Sequence, residues 1–166
     1  MKFELKIRGA KGVERTFDKI TMYYHKDLKP FFEIVRDWWF DNERMIFITE
    51  GTHLLGRQWK KLSDDYAEWK EQNFPKRNIL ELHGKLSNAM GGGAGSWQKL
   101  TRKNMKLGIK WLPYYDTHQN GDRGRNIPKR QFAGTNKDMM RDLDLRIQKH
   151  MVALDRELQR EAEVIR

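Results

Sequence analysis

TNKDMMRDLDLRIQKHMVALDRELQREAEVIR, residues 135 to 166, sets the architecture of this chain. Its apolar residues fall at 140, 143, 147, 151, 154, 158, 162 and 165. These steps of three and four average about 3.6 residues, the α-helical period. Thr135-Asn136-Lys137-Asp138 resembles a capping box, with Asp in place of the commoner Glu, and places the helix start there. About 28 residues rising about 1.5 Å each give a helix of roughly 40 Å. That is longer than a compact 166-residue body needs. The tail from Arg156 to Arg166 is expected to project beyond the domain or to lie across a neighbour.

Upstream of that helix the period changes. Met105, Leu107, Ile109 and Trp111 alternate with other residues, a period of two that marks one face of a strand. Trp97 to Thr101 is its hairpin partner, turning at Arg102-Lys103-Asn104. Met90-Gly91-Gly92-Gly93-Ala94-Gly95 ahead of it reads as a flexible loop, and Pro113 opens a short helical turn. Nearer the start, Phe3, Leu5 and Ile7 alternate as a short strand, and a turn at Ala10-Lys11-Gly12 leads into a second strand before Ile20. Leu28-Lys29-Pro30 after Asp27 begins a helix, with proline in its first turn. Apolar residues at 28, 31, 32, 35, 38, 39 and 46 carry it to about Phe47 with a strongly aromatic face.

Glu50 to Trp59 is punctuated by glycine and reads as a loop. Ser63 is the expected N-cap of a short helix ending near Asn73-Phe74-Pro75, with Asp64 and Asp65 favoured by the helix dipole. A second short helix is expected through Ile79, Leu80, Leu82 and Leu86 to Asn88. The sum is a single α+β domain: a small antiparallel sheet, packed helices and a long C-terminal helix. Its parts are 1–26 (N-terminal strands), 27–90 (helical), 91–134 (hairpin and basic loop) and 135–166 (long helix).

Composition narrows the function. Apolar residues make up 38% of the chain and charged residues 34%, so a modest core lies under a charged surface and assembly would add burial. Six Trp, eight Phe and five Tyr supply much of the core's area. There is no cysteine, which excludes disulfides and thiolate metal sites. No stretch reaches the roughly 18 apolar residues of a bilayer span, and the first residues lack a signal-peptide run. A soluble protein made in the cytosol, with no membrane partner, is the expectation.

The net charge of +10 is uneven. Gln98 to Asp138 carries ten Lys or Arg against three acids, whereas Met139 to Arg166 is balanced at six against six. Lys99, Arg102, Lys103, Lys106, Arg123, Arg125 and Lys129 form a candidate basic patch for nucleic acid or an acidic protein face.

Candidate chemistry is sparse. The histidines at 25, 53, 83, 118 and 150 form no compact metal-ligand spacing. Asp116 and His118 in Tyr114-Tyr115-Asp116-Thr117-His118-Gln119-Asn120-Gly121 are suitable residue types, but side chains two apart on a helical turn do not face each other. His118 reads as a hydrogen-bonded structural residue that, with Gln119, fixes the loop feeding Pro128 to Phe132. The Gly91–Gly95 run lacks the Gly-Lys-Ser/Thr ending of a phosphate loop. Asp64 with Asp65, and Asp142 with Asp144, sit in opening helical turns, where acids are expected anyway. Trp38, Trp39, Trp69 and Trp111 fall on apolar faces and read as core. Trp97, close to Lys99, Arg102 and Lys103, is the best base-stacking candidate. No catalytic residue, metal site or cofactor is expected.

One resemblance orders these pieces. Trp59-Lys60-Lys61-Leu62-Ser63 with Tyr66, Trp69 and Lys70 forms a first block. Ile79-Leu80 with Gly84-Lys85-Leu86 forms a second. Tyr115, His118-Gln119, Gly121 and Ile127-Pro128-Lys129-Arg130-Gln131-Phe132 form a third, followed by the long helix. In this order and spacing, over about residues 50 to 160, the chain resembles the phage virion morphogenesis, or tail completion, family. It departs at Asp116, where a small apolar residue is usual, at His83, where a hydroxyl residue is common, and at Ala133, where a leucine is.

The resemblance implies a non-enzymatic structural protein of tailed phages, a tail terminator or neck protein, acting as a ring, usually sixfold. Its expected partners are copies of itself, tail-tube and sheath or head-neck proteins, and passing genomic DNA. Its expected place is the virion, at the tail end or head-tail neck, after synthesis in the host cytoplasm. Trp59, Leu62, Tyr66, Trp69, Lys70, Leu80, Gly84, Leu86, Tyr115, His118, Gln119, Gly121, Pro128, Arg130 and Phe132 would then be structural. The alternative from the residues alone is a sequence-nonspecific nucleic-acid-binding protein using the basic 98–138 segment. A small nuclease lacks an acidic metal cluster.

Overall fold

The computed structural model describes residues 28–110 and 112–164, with side chains of the C-terminal helix to Arg156. The strands expected before residue 27, and Trp111, lie outside the described residues. The fold is α+β: the described residues form six helices and one two-stranded antiparallel sheet, in the order α1 (Lys29–Ile48), α2 (Thr52–Leu55), α3 (Asp64–Asn73), α4 (Lys85–Met90), β1 (Ser96–Leu100), β2 (Met105–Ile109), α5 (Tyr115–Asn120) and α6 (Lys137–Val164).

The core is built on α1. Pro30 occupies its first turn, where no backbone N–H is needed. Phe31, Val35, Trp38 and Ile46 are buried at helical spacing, and Phe32, Trp39 and Phe47 widen the stripe. α6 packs along α1 through Met139, Leu143 and Ile147. The hairpin closes the other side, with Met105, Leu107 and Ile109 packed against the core as the period of two requires. Its register pairs Lys99 with Lys106 and Trp97 with Gly108.

Four expectations change. Glu50 to Trp59 is not all loop, because a single helical turn, α2, fits between Gly51 and Gly56. Gly51 has φ +90°, and a Cβ there would lie 2.3 Å from Trp59 Nε1. Only glycine lets the indole lie flush on the backbone. The helix expected from Ile79 begins only at Lys85, since Leu80 and Gly84 both take positive φ. α6 is capped by Asn136, not Thr135: Asn136 Oδ1 accepts the Met139 N–H at 2.8 Å. Ser63 precedes α3 as expected but makes no side-chain cap.

The glycine run Gly91–Gly95 is a hydrogen-bonded turn. The Gly91 N–H reaches Ser87 O, and the Gly93 N–H reaches Asn88 O at 2.7 Å. Among the described residues no helix is long and apolar enough to cross a membrane.

Candidate functional site

The three sequence blocks meet at one place, where the segment 127–134 threads between the Trp59 strand-like stretch and α5. Arg130 is the hub. Its side chain is buried, and Nε donates to Lys60 O at 3.0 Å while an Nη donates to Lys61 O at 3.2 Å. Its own N–H donates to His118 O at 2.8 Å. Burial draws the guanidinium pKa below its ordinary value. The guanidinium thus joins two backbone segments about 70 residues apart through carbonyls, and it forms no ion pair with a carboxylate among the described residues.

Gln119 is the second clamp. Its Oε1 accepts the N–H groups of Phe132 and Ala133 at 3.0 and 3.2 Å, and its Nε2 donates to Ala133 O at 3.0 Å. One primary amide so replaces a strand partner for a chain that has none. Phe132 is thereby seated at the centre of the core, edge-on to Tyr115 at 4.9 Å and against Phe47 at 5.8 Å. Trp59 Nε1 donates to Gln131 O at 2.8 Å, tying the first block to the third. Gly121 has φ +78°, and a Cβ there would sit 2.8 Å from Lys129 N, so the turn into this segment needs glycine.

The expected role of Gln119 holds, and that of His118 is corrected. His118 supports Arg130 through its backbone carbonyl, while its ring Nδ1 is buried and has no hydrogen-bond partner. The ring meets Tyr114 edge-on at 6.1 Å. Burial lowers its pKa, and the nearby charges of Arg130 and Arg125 lower it further, which keeps the imidazole neutral. Among the described residues no group of three His, Asp or Glu is placed to share a metal ion.

Below the clamp lies a half-open cleft of about 900 Å³. Leu62, Leu80, Leu82, Leu86, Ile127 and Pro128 line it with Tyr66, Tyr114, His83 and His118. Lys60, Lys61, Lys70, Lys85, Arg125 and Arg130 also line it, against the single acid Glu81. Lys70 is buried and donates to Asn78 O, and burial lowers its pKa against the pull of Glu50 and Glu81. Gly84 supplies the left-handed residue that starts α4, and Leu86 is buried behind it.

Trp69 is not core. It is 44% exposed and stacks on Tyr66, with centroids 5.4 Å apart and planes at 21°. Phe74 lies 5.7 Å from Trp69, and His83 is edge-on to Phe74 at 5.1 Å, so four rings run along the surface. Trp97, the candidate for base stacking, lies half-buried over Gly108, where a Cβ would come within 2.5 Å of its ring. The candidate basic patch falls on two segments. Lys99, Arg102, Lys103 and Lys106 stand exposed on the hairpin and its turn. Arg123 and Lys129 are exposed on the loop after α5, where Arg125 pairs with Asp122 at 2.7 Å and depresses its carboxyl pKa.

Sequence reasoning missed a buried acid. Glu43 is fully buried on α1, and neither carboxylate oxygen has a hydrogen-bond partner. Burial raises its pKa well above the ordinary 4.5. The Gly134 amide opposes this weakly, its geometry falling short of a hydrogen bond. Glu43 lies four residues from both Trp39 and Phe47, so the helical spacing alone puts it on the buried face. The neighbouring Tyr115 phenol is pushed up to about 12, by burial first and by Glu43 and Asp116 next.

Comparison with protein-family models, curated proteins and solved structures finds no match to this chain.

Proposed function

We propose that this chain is a structural virion protein of tailed phages, completing the tail or joining it to the head as a ring of copies. The observation that supports the reading most is the convergence of its three motif blocks. Trp59, Arg130, Gln119 and Phe132 spend their polar atoms and rings on holding the backbone in place. These groups are architectural, as the resemblance to tail completion proteins implies, and the role proposed is non-enzymatic. The length of α6, with Val152 on it exposed, offers reach toward a neighbouring copy, which a head-to-tail ring requires.

Cryo-electron microscopy of assembled particles tests the reading. Density for the chain as a closed ring at the tail end or neck is the expected result. A protein that stays monomeric and never enters particles would refute it.

A second reading is favoured by one observation. The hairpin register sets Lys99 opposite Lys106, beside Arg102 and Lys103 at the turn. Like charges directly opposite each other repel, and a phosphate backbone would relieve that repulsion. DNA affinity should then fall steeply with salt and collapse when Lys99, Lys103 and Lys106 are changed to Glu.

A further inference from the structure

The cleft beneath the Arg130 clamp holds positive charge that its own residues do not balance. Arg130 and Lys70 are buried in its wall, 5% and 6% exposed, and neither forms an ion pair among the described residues. Both donate to backbone carbonyls, which carry no net charge to offset them. Taking a cation out of water is costly without a counter-charge, and the lowered pKa of each group reflects that cost. Lys60, Lys61 and Lys85 stand exposed along the same cleft, also without an ion pair among the described residues. Glu81 is the single acid in the lining. A concave wall of one sign concentrates the field and draws an anion inward.

The ring row meets this cleft at both ends. Tyr66 and His83 line the cleft, and Trp69 and Phe74 connect them outside it. Tyr66 and Trp69 are stacked on each other while 42% and 44% exposed. Lys76 and Arg77, exposed just after Pro75, add cations beyond Phe74. The acids of α3, Asp64, Asp65, Glu68 and Glu71, are exposed, and none of them lines the cleft. Open rings beside a basic groove suit an unpaired strand, whose bases stack on the rings while its phosphates follow the cations. In a duplex the base faces are already stacked on one another and do not reach such rings. An acidic protein segment would meet the same cations, but nothing in its charge calls for the open stacked pair. We propose that the cleft and its ring row form a binding site for single-stranded nucleic acid, with phosphates against Lys60, Lys61 and Lys85 and bases against Tyr66 and Trp69. The site is separate from the hairpin cations, none of which lines the cleft, and it does not depend on the ring reading.

Titration of the full-length protein with two strands of about twelve nucleotides tests this, one oligothymidylate and one abasic with the same number of phosphates. Oligothymidylate should quench tryptophan fluorescence and bind at least about fivefold more tightly than the abasic strand, because only it can stack. Its affinity should fall steeply with salt, and at least about tenfold when Lys60, Lys61 and Lys85 are changed together to Glu. Lys60 and Lys61 hold Arg130 through their backbone carbonyls, so these changes leave the clamp in place. Trp69→Ala, at an exposed position, should weaken oligothymidylate at least about fivefold and leave the abasic strand unchanged. Changing Lys99, Lys103 and Lys106 to Glu should move oligothymidylate affinity by less than about twofold, since the hairpin lies outside the site. Equal affinity of the unaltered chain for the two strands would overturn the proposal, as would the absence of binding. So would an affinity that follows the hairpin changes and ignores those in the cleft. If oligoglutamate of equal charge competes as well as oligothymidylate, the cleft is a surface for an acidic protein segment and the proposal fails.

Discussion

In α1 burial runs from Phe31 to Phe47, nearly the whole helix; in α6 the last buried side chain among the described residues is Ile147, with Met151 half-buried and Val152 exposed, although the same apolar spacing continues in the sequence. Both helices satisfy the same periodic rule. They differ in what covers the stripe. α1 is wrapped by α4, the hairpin, α6 and the Phe132 segment, whereas the main helical neighbour of α6 among the described residues is α1. Periodicity therefore specifies that a helix has an apolar face, and the packing around it decides how much of that face the chain can cover.

The comparison is broken or sharpened by substitution along the two helices. Trp38→Ala and Phe132→Ala empty fully buried sites and should each cost about 3–5 kcal/mol in denaturant melts, or prevent folding. Leu143→Ala on the covered half of α6 should cost about 2–5 kcal/mol. Gln119→Leu strands the N–H groups of Phe132 and Ala133 in the interior, at about 1–3 kcal/mol. Val152→Ala, on the uncovered half, should stay within about 0.5 kcal/mol for the isolated chain. A large effect at Val152 at low protein concentration would mean that the body itself covers that turn, and the contrast between the two helices would disappear.

Glu43 gives a pH-dependent version of the contrast, because α1 buries even a carboxyl. Its folded pKa is raised, so the native state holds the proton over a window in which the unfolded chain has released it. Stability contributed by the neutral carboxyl is complete below about 4.5 and is lost as pH rises toward the folded pKa. Glu43→Gln, which cannot ionise, should therefore raise the melting temperature at pH 8 and gain little at pH 4. A variant that lowers it at both would show that the carboxylate has a charged partner.

Much of this was legible in the residues, and the misses have physical causes. α1, the hairpin and α6 follow from period and punctuation, which act over neighbours in the chain. α2 escaped because its single turn depends on Trp59 lying against Gly51, a contact that spacing does not announce. Leu80 holds a positive φ that its residue type resists, imposed by the surrounding framework. Trp69 shares a helical face with Tyr66, but no helix or strand of the described residues covers that face, so the pair stacks half-exposed. At the site, the order of the blocks was visible while the bonds were not. Arg130 reaches Lys60 and Lys61 across about 70 positions, and only the folded chain brings them together. His118 was expected to hold this loop by hydrogen bonds, and the bond it makes to Arg130 is through its backbone carbonyl, which residue type does not foretell.

Asn136 has a mechanical consequence. Besides capping α6, its amide donates to His53 O and Leu54 O at 2.7 and 3.0 Å, and His53 Nε2 is in turn 2.6 Å from Asn42 Oδ1 on α1. The root of a rod about 40 Å long is thus pinned to the scaffold by a short relay of amide and imidazole groups. A load applied at its far end acts with the leverage of that length on those few polar contacts. Such a load would reach the body through the Asn136 joint together with the seam of Met139, Leu143 and Ile147 beside it.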